Sequence, residues 1–223
     1  MPKLVELLNK NKMTLIVALP GNDPELAEAA ISGGADALQL SINVKGSEDF
    51  KSEKEAIAKI LKFAQIPVGV MIGGKESVDQ SAMKEMIKLG VDFVNVKIEH
   101  APSFIPEVKN ITKVLSLGSR FTIDVVLGIG QYGANAINAA IIPSSEFGKV
   151  LIVGDLQNYI SIVISAGIPV IVPTQRSIRT SEVAIIADTG AKGLMLTTVV
   201  TGTVPKHVEK AVREYRIAVD DLG

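Results

Sequence analysis

The chain contains no cysteine and no tryptophan, and only two of its 223 residues are histidines. The absence of cysteine excludes disulfides, thiolate nucleophiles and metal sites built on thiolates. Two histidines are too few for a histidine-rich dinuclear centre, so no metal site is predicted, although carboxylates could hold one magnesium ion. No apolar run reaches membrane-spanning length, and the charged N-terminus is unlike a signal peptide. We therefore expect a cytoplasmic protein with no membrane partner.

Charge and aromatic content are also low. The formal net charge is −1, which gives no broad basic surface, so we expect no nucleic-acid partner. Aromatic residues make up 4% of the chain, whereas hydrophobic residues make up 47%. An aliphatic interior of this kind is typical of parallel strands that are covered on both faces.

A glycine followed by a short apolar run recurs along the sequence, after Gly34, Gly90, Gly167 and Gly190. Glycine readily adopts the left-handed conformation that ends a helix, and the apolar run that follows suits a buried strand. The recurrence predicts helices that alternate with parallel strands, which is the pattern of an α/β protein.

Eight such strands can be placed along the chain. The predicted ranges are 14–19, 37–43, 66–72, 93–98, 121–127, 150–153, 170–173 and 194–198. Eight strands in about 200 residues predict one (β/α)8 TIM barrel domain over residues 1–223, with a short N-terminal helix at 2–10. If 138–142 or 159–164 were a strand instead, an open doubly wound parallel sheet would compete.

Polar side chains alternate with apolar ones near the ends of two predicted strands. Gln39 and Asn43 share one parity on the second strand, and Asn95, Lys97 and Glu99 share one parity on the fourth. Residues of one parity point into a barrel, so these groups are expected at its mouth. Gln39, Asn43 and Asn95 are therefore candidates for binding substrate.

Lys97 is the leading catalytic candidate. A lysine near the end of an apolar strand could form a Schiff base, act as a base or bind an anion. Asp124, on the predicted fifth strand, is its expected partner, and Glu99 and His100 complete the catalytic set. The alternatives are an internal ion pair that only fixes the barrel, and a loop role for His100.

Phosphate-binding groups are expected after the seventh and eighth strands, where barrels often hold phosphate. Thr198, Gly202 and Thr203 lie around the predicted start of the last helix, and Arg176 follows the seventh strand. Gln175 offers an amide to the substrate in the same loop. Ordinary helix capping beside solvated arginines is the alternative.

The end of the chain carries a family resemblance. Its residues are Gly190-Ala191-Lys192-Gly193-Leu194-Met195-Leu196-Thr197-Thr198-Val199-Val200-Thr201-Gly202, followed by a helix with Val208-Glu209-Lys210-Ala211-Val212. This unit resembles the closing unit of ribulose-phosphate-binding barrels, which include N-acetylmannosamine-6-phosphate 2-epimerases, keto-deoxy-phosphogluconate aldolases, thiamine-phosphate synthases and phosphoribosylanthranilate isomerases. Thr197 stands where that group has glycine, and Thr174-Gln175-Arg176 replaces its paired glycines.

The resemblance and the candidate residues together predict a function. We expect an isomerase, an epimerase or an aldolase-type lyase that acts on a small phosphorylated sugar or keto acid by removing a proton beside a carbonyl. This chemistry requires no cofactor. The alternatives are an FMN-binding oxidoreductase and a non-catalytic barrel that senses a ligand or acts as a scaffold. Apolar segments at 136–142 and 159–166 also predict a homo-oligomer, with a dimer favoured.

Overall fold

A computed structural model of the protein describes residues 3–44, 47–74 and 79–223. Within them, eight parallel strands close into a barrel in sequence order, with the last strand hydrogen-bonded to the first. This closure confirms the predicted (β/α)8 barrel, and the open doubly wound sheet is wrong. The strands are β1 (Thr14–Ala18), β2 (Ala37–Ile42), β3 (Val68–Ile72), β4 (Phe93–Lys97), β5 (Thr112–Ser116), β6 (Ala136–Asn138), β7 (Val170–Pro173) and β8 (Gly193–Leu196).

Helices connect most of the strands, and several begin at an aspartate. Asp23, Asp49 and Asp79 each accept a hydrogen bond from a backbone N–H in the first helical turn that follows, which satisfies a donor that has no partner within the helix. The helices are α1 (Lys3–Lys10), α2 (Pro24–Ser32), α3 (Phe50–Phe63), α4 (Gln80–Leu89), α5 (Ile123–Val126), α6 (Val153–Ala166), α7 (Val183–Asp188), α8 (Thr198–Thr201) and α9 (Pro205–Asp220). Pro2, at the start of the predicted helix 2–10, lies outside the described residues. None of the helices that the structure describes is long and apolar enough to cross a membrane.

The predicted fifth and sixth strands are wrong. Residues 121–127 contain the single helical turn α5, and 150–153 leads into α6. Periodicity does not distinguish a short apolar helix from a short buried strand. The segment 159–164 is part of α6, and of 138–142 only Asn138 belongs to a strand, as the last residue of β6.

Side-chain alternation divides the barrel interior into layers. A layer toward the N-terminal end of the strands is apolar and includes Ile16, Phe93 and Met195, while Thr14 and Thr112 are buried on the same side of β1 and β5, two residues earlier. Leu4 and Leu8 of α1 pack into this layer, while the carboxylate of Asp92 accepts hydrogen bonds of 3.0 Å from the backbone N–H groups of Lys3 and Leu4. Because α1 covers this end, the carboxyl ends of the strands form the accessible mouth.

Glycine at position 69 allows close packing in the same layer. A Cβ atom added there would lie 2.3 Å from ring atoms of Phe93, a separation that real atoms do not adopt. The ring of Phe93 therefore occupies the space that the side chain of any larger residue at position 69 would need. The Phe93 side chain is itself fully buried.

Truncating Leu8 tests the role of α1. Leu8→Ala leaves a cavity against the barrel interior, so we expect the free energy of unfolding to fall by about 2–5 kcal/mol. Leu7→Ala, on the half-buried side of the same helix, is the matched control and should cost less. Urea denaturation of the two variants measures the difference, and equal losses would contradict the packing described for α1.

Candidate functional site at the barrel mouth

A buried hydrogen-bond network crosses the interior above the apolar layer. The side-chain amide nitrogen of Asn95 donates to Gln39 Oε1 at 2.7 Å, and the hydroxyl of Ser116 donates to Asn95 Oδ1 at 2.6 Å. All three side chains are buried. Three neighbouring polar groups from β2, β4 and β5 therefore satisfy one another in a place where an unpaired group would be costly.

Asn138 contributes a fourth polar group to the interior. Ala136, two residues earlier on β6, belongs to the apolar interior layer, so Asn138 also points inward. Asn138 is 5% exposed, and its Oδ1 atom has no hydrogen-bond partner among the described residues. A buried acceptor without a partner at the mouth of a barrel is available to a ligand.

Lys97 and Glu99 lie at the rim beside this network. Lys97 follows Asn95 on the inward side of β4 and pairs in register with Ser116, but its side chain is exposed rather than buried in an ion pair. A recess of about 120 Å³ is lined by Lys97, Glu99, Ser116, Gly118, Ser119 and Arg120. It combines two cations, one carboxylate and two hydroxyl groups.

Gly118 leaves room for the Glu99 carboxylate in this recess. A Cβ atom at position 118 would lie 3.3 Å from Glu99 Oε1, which is closer than most such contacts. The carboxylate therefore lies against backbone, in the recess that Lys97 also lines.

Asp124 is not part of the recess, because the strand prediction that placed it beside Lys97 is wrong. It lies on α5, after the chain has left the barrel at the end of β5. There it lines a separate, largely apolar pocket of about 420 Å³ with Leu115 and Ile129. Leu115 has the opposite parity to Ser116, so this pocket lies outside the barrel wall.

His100 ends the 3-10 turn that contains Glu99 and is half-buried, and it does not line the recess. Within the described part of the chain, no group of three or more histidine, aspartate and glutamate side chains is arranged to hold a metal ion.

The two remaining amide candidates lie elsewhere on the rim. Asn43 follows β2 in the left-handed conformation, with φ of 54°, and its backbone N–H donates to the carbonyl of Glu48 at 2.7 Å. The side chain of Gln175 accepts a hydrogen bond from the backbone N–H of Ile142 at 3.1 Å. Gln175 therefore joins the loops that follow β6 and β7.

Arg176 is held away from the mouth by acidic partners. Its guanidinium is buried, and it donates to Asp155 Oδ2 at 2.8 Å and to Glu146 Oε2 at 3.0 Å. The hydrogen bonds to Asp155 are the main cause of a raised pKa of Arg176. Hydrogen bonds from Lys149 and then from Arg176 lower the pKa of Glu146. The arginine thus joins the loop after β7 to the start of α6. Its guanidinium N–H groups are used in these bonds and do not face the mouth.

The ends of β7 and β8 are joined by a reciprocal pair of threonines. The backbone N–H of Thr197 donates to Thr174 Oγ1 at 2.8 Å, and Thr197 Oγ1 donates to the carbonyl of Thr174 at 2.8 Å. Thr198 follows as the exposed first residue of α8. Gly202, with φ of 67°, ends that turn, and the exposed Thr203 precedes α9. In an eight-stranded barrel, Thr198 after β8 is on the opposite side of the mouth from Lys97 on β4.

Three residues of this site were not predicted from the sequence: Ser116, Arg120 and Asn138. They lie on or directly after β5 and β6, which the sequence analysis placed at other residues. Thr112, Val114 and Ser116 occur at every second position, and this spacing is the signal that could have identified β5. Residues spaced in this way share one side of a strand, here the inward side.

Paired alanine substitutions distinguish the bonded amide from the unbonded one. Asn95→Ala leaves Gln39 and Ser116 without a buried partner, whereas Asn138→Ala removes an acceptor that has none. We expect Asn95→Ala to destabilise the protein by about 1–3 kcal/mol more than Asn138→Ala. Urea denaturation measures both, and an equal or greater loss for Asn138→Ala would show that its amide is already satisfied.

Removing the Arg176 guanidinium tests whether it is structural. Arg176→Met leaves Asp155 as a buried carboxylate without its cation, which we expect to cost about 3–5 kcal/mol of unfolding free energy. Arg179→Met, three residues along at an exposed position, is the control and should change stability by less than about 0.5 kcal/mol. Thermal or urea denaturation measures the unfolding free energy of both variants. An Arg176→Met variant as stable as the native protein would show that the guanidinium is not structural and is available to a ligand.

No protein-family model matches the sequence, and a search of curated proteins found no match. Solved structures do match. Thiamine phosphate pyrophosphorylase from Pyrococcus furiosus aligns with a TM-score of 0.69 at 20% identity, covering 95% of this chain and 98% of that chain. Phosphoribosyl anthranilate isomerase from Thermus thermophilus aligns with a TM-score of 0.68 at 14% identity, covering 95% of this chain and all of that chain. Tryptophan synthase from Mycobacterium tuberculosis aligns with a TM-score of 0.75 at 14% identity, covering 97% and 96% of the two chains.

These similarities concern the fold, because the sequence identities are low. The first two proteins are of kinds named above for the resemblance of residues 190–212. That resemblance is confirmed at the level of the fold: this chain has the TIM-barrel fold of these proteins.

Proposed function

We propose that this protein is an enzyme that isomerises, epimerises or cleaves a small phosphorylated sugar or keto acid at the barrel mouth. The observation that carries the proposal is the interior amide layer, with its unpaired Asn138 acceptor, lying beside the charged recess of Lys97 and Glu99. The Asn138 acceptor lies at the mouth, where a ligand can reach it, whereas the unpaired buried hydroxyls of Thr14 and Thr112 lie at the end that α1 covers. The structural neighbours, which include a thiamine phosphate pyrophosphorylase and a phosphoribosyl anthranilate isomerase, support the same substrate class.

The chemical step is a proton transfer beside a carbonyl group. The Glu99 carboxylate takes a proton from the carbon next to the carbonyl, and the bonding electrons move onto the carbonyl oxygen to give an enolate. The ammonium group of Lys97 lies in the same recess and stabilises that negative oxygen. Protonation of the opposite face by solvent gives an epimer. Transfer of the proton from Glu99 to the former carbonyl carbon gives an isomer, as the hydroxyl proton of the first carbon moves to the other oxygen.

Lys97 has a second role available in the same position. Its amine could condense with a substrate carbonyl to form a Schiff base, with loss of water, and the iminium would then accept the electrons of a breaking carbon–carbon bond. This route is the aldolase form of the proposal. The exposed position of Lys97 at the mouth gives a carbonyl compound direct access to the amine.

Neutral and charged parts of the substrate would bind on different sides of the mouth. The unpaired acceptor of Asn138 on β6 suits a substrate hydroxyl, and Gln39 holds the Asn95 amide in place on β4. The phosphate would lie toward Thr198 and Thr203, opposite Lys97, where exposed hydroxyl groups follow β8. Arg176 is excluded from this role by its bonds to Asp155 and Glu146.

Solvent exchange tests the proposed proton transfer whichever product is formed. Phosphorylated ketoses, phosphorylated N-acetyl sugars and phosphorylated keto acids are incubated with the protein in D2O, and proton NMR follows the signal beside each carbonyl. We expect at least one compound to lose that signal in the presence of the protein. Because positioned acid–base groups contribute about 10²–10⁴-fold, Lys97→Met and Glu99→Gln should each slow the exchange at least about 100-fold.

Lys192→Met is the matched control for the lysine substitution. Lys192 is also exposed and also lies at the end of a barrel strand, but at the N-terminal end, before β8. Its loss should leave the exchange rate within about twofold of the native rate. Ligand binding without exchange in the native protein would favour a sensing barrel, and exchange that survives both mouth substitutions would refute the assigned roles.

A further inference from the structure

Arg120 lies at the barrel mouth on a hydrogen-bonded turn just after β5. The backbone N–H of Phe121 donates to the carbonyl of Gly118 at 3.0 Å, which closes the turn around Ser119 and Arg120. Leu117, just before the turn, is fully buried, and Phe121, just after Arg120, packs partly buried against the core. The turn is therefore anchored at both ends, and this fixes the position from which the arginine side chain extends.

The guanidinium of Arg120 has no acid partner among the described residues. Arg176 and Arg216 each form an ion pair with a carboxylate. Within the described part of the chain, neither Arg120 nor Lys97 forms one, although both line the same recess as Glu99. A guanidinium fork that has no carboxylate of its own, in a recess at the barrel mouth, is available to an anionic group of a ligand.

The recess itself is small. Its volume is about 120 Å³, whereas pockets that enclose a whole small-molecule ligand measure about 300–1,000 Å³. Ser116 is its most buried lining residue and pairs in register with Lys97 on the neighbouring strand. The recess can therefore enclose one end of a substrate but not a whole phosphorylated compound.

Charge favours a carboxylate over a phosphate in this recess. Lys97 and Arg120 are two cations against the one carboxylate of Glu99, which leaves a formal charge of +1. A bound carboxylate neutralises that charge, whereas a phosphate monoester carries about −1.5 to −2 at pH 7. The planar fork of a guanidinium also matches the two oxygens of a carboxylate.

We propose that Arg120 makes the site specific for 2-keto acids, by binding the carboxylate that is bonded to the reacting carbonyl carbon. The proposal rests on the function proposed above and names its substrate class. Two parallel N–H groups of the guanidinium donate to the two carboxylate oxygens. The carbonyl group, one bond away, then lies in the part of the recess that Lys97 lines, and the next carbon lies toward Glu99.

The same three residues match the charge that develops during proton transfer. When Glu99 takes a proton from carbon 3 of the keto acid, it becomes neutral, and the formal charge of the recess rises from +1 to +2. The bonding electrons move onto the carbonyl oxygen, so the head of the keto acid changes from a single to a double negative charge. Lys97 stabilises the enolate oxygen while Arg120 holds the carboxylate. A ketose has no carboxylate and would leave one cation unmatched at both stages.

Two compounds that differ only at carbon 1 test this specificity. The keto acid is the 5-phosphate of 5-hydroxy-2-ketopentanoate, and the methyl ketone is the phosphate of 5-hydroxy-2-pentanone, in which a methyl group replaces the carboxylate. Each is incubated with the protein in D2O, and proton NMR follows the methylene signal at carbon 3. We expect the native protein to exchange this signal with a kcat/KM at least about 100-fold higher for the keto acid, because hydrogen bonds to a charged group are strong.

Substitutions of Arg120 should remove this preference. Arg120→Met should lower kcat/KM for the keto acid at least about 100-fold, and its effect on the methyl ketone should be at least about tenfold smaller. Arg120→Lys keeps the charge but loses the fork, so its loss should be about tenfold. Arg179→Met removes an exposed arginine after β7 and should leave both rates within about twofold of the native rates. Circular dichroism confirms that the variants are folded.

Isothermal titration calorimetry measures the binding of the two compounds whether or not a proton exchanges. Tighter binding of the keto acid that is lost in Arg120→Met, without any exchange, would support the carboxylate site and contradict the proposed reaction. Exchange in the native protein that Arg120→Met slows equally for both compounds would overturn the role of Arg120 and leave the reaction in place. A folded native protein that neither binds nor exchanges the keto acid would also overturn that role, and the other compounds of the exchange panel would then decide the reaction.

Discussion

The closed ladder of eight parallel strands is the constraint on which the rest of the structure depends. Closure forces every second residue of each strand into the interior, where it must find a partner or an apolar neighbour. The interior therefore changes along the barrel axis. Residues around Phe93 form an apolar layer sealed by α1, Asn95 and Gln39 form a hydrogen-bonded layer above it, and Lys97 reaches the rim. Of these three levels, only the rim at Lys97 is placed to carry out chemistry.

The buried pair of Arg176 and Asp155 has consequences at two places in the molecule. It holds the arginine away from the barrel mouth, so the rim after β7 presents backbone and threonine groups rather than a guanidinium. It also neutralises Asp155, which is buried in the first turn of α6. One ion pair thus affects both the polarity of the mouth and the burial of a carboxylate at the start of α6.

The sequence predicted the barrel and six of its strands because local alternation and helix-ending glycines are properties of short segments. It failed at β5 and β6 for local reasons too. Lys113 interrupts the apolar pattern of β5, and its ammonium group is satisfied by the backbone carbonyls of Pro106 and Val108. The strand β6 has only three residues. The error moved Asp124 into the predicted site and left Asn138 out of it.

The partners of Arg176 could not be predicted from local pattern at all. Asp155 and Glu146 lie 21 and 30 residues away in the sequence, and nothing in the neighbouring residues distinguishes a buried guanidinium from a solvated one. Contacts of this kind depend on how the loops after β6 and β7 meet, which only the folded chain determines. In contrast, the five residues of β4 alone predict that Asn95 and Lys97 lie on the same side of that strand.

A thermal-shift panel tests most directly whether the mouth is a ligand site. Phosphorylated sugars, phosphorylated keto acids and inorganic phosphate are compared on the native protein, on Lys97→Met and on Lys192→Met. A ligand at about a hundred times its dissociation constant adds about 2.7 kcal/mol, which raises Tm by about 5–10 °C for a domain of this size. The account predicts such a shift for at least one phosphorylated organic compound, reduced in Lys97→Met and kept in Lys192→Met. A flat panel on folded protein, or a shift that Lys97→Met leaves unchanged, would contradict it.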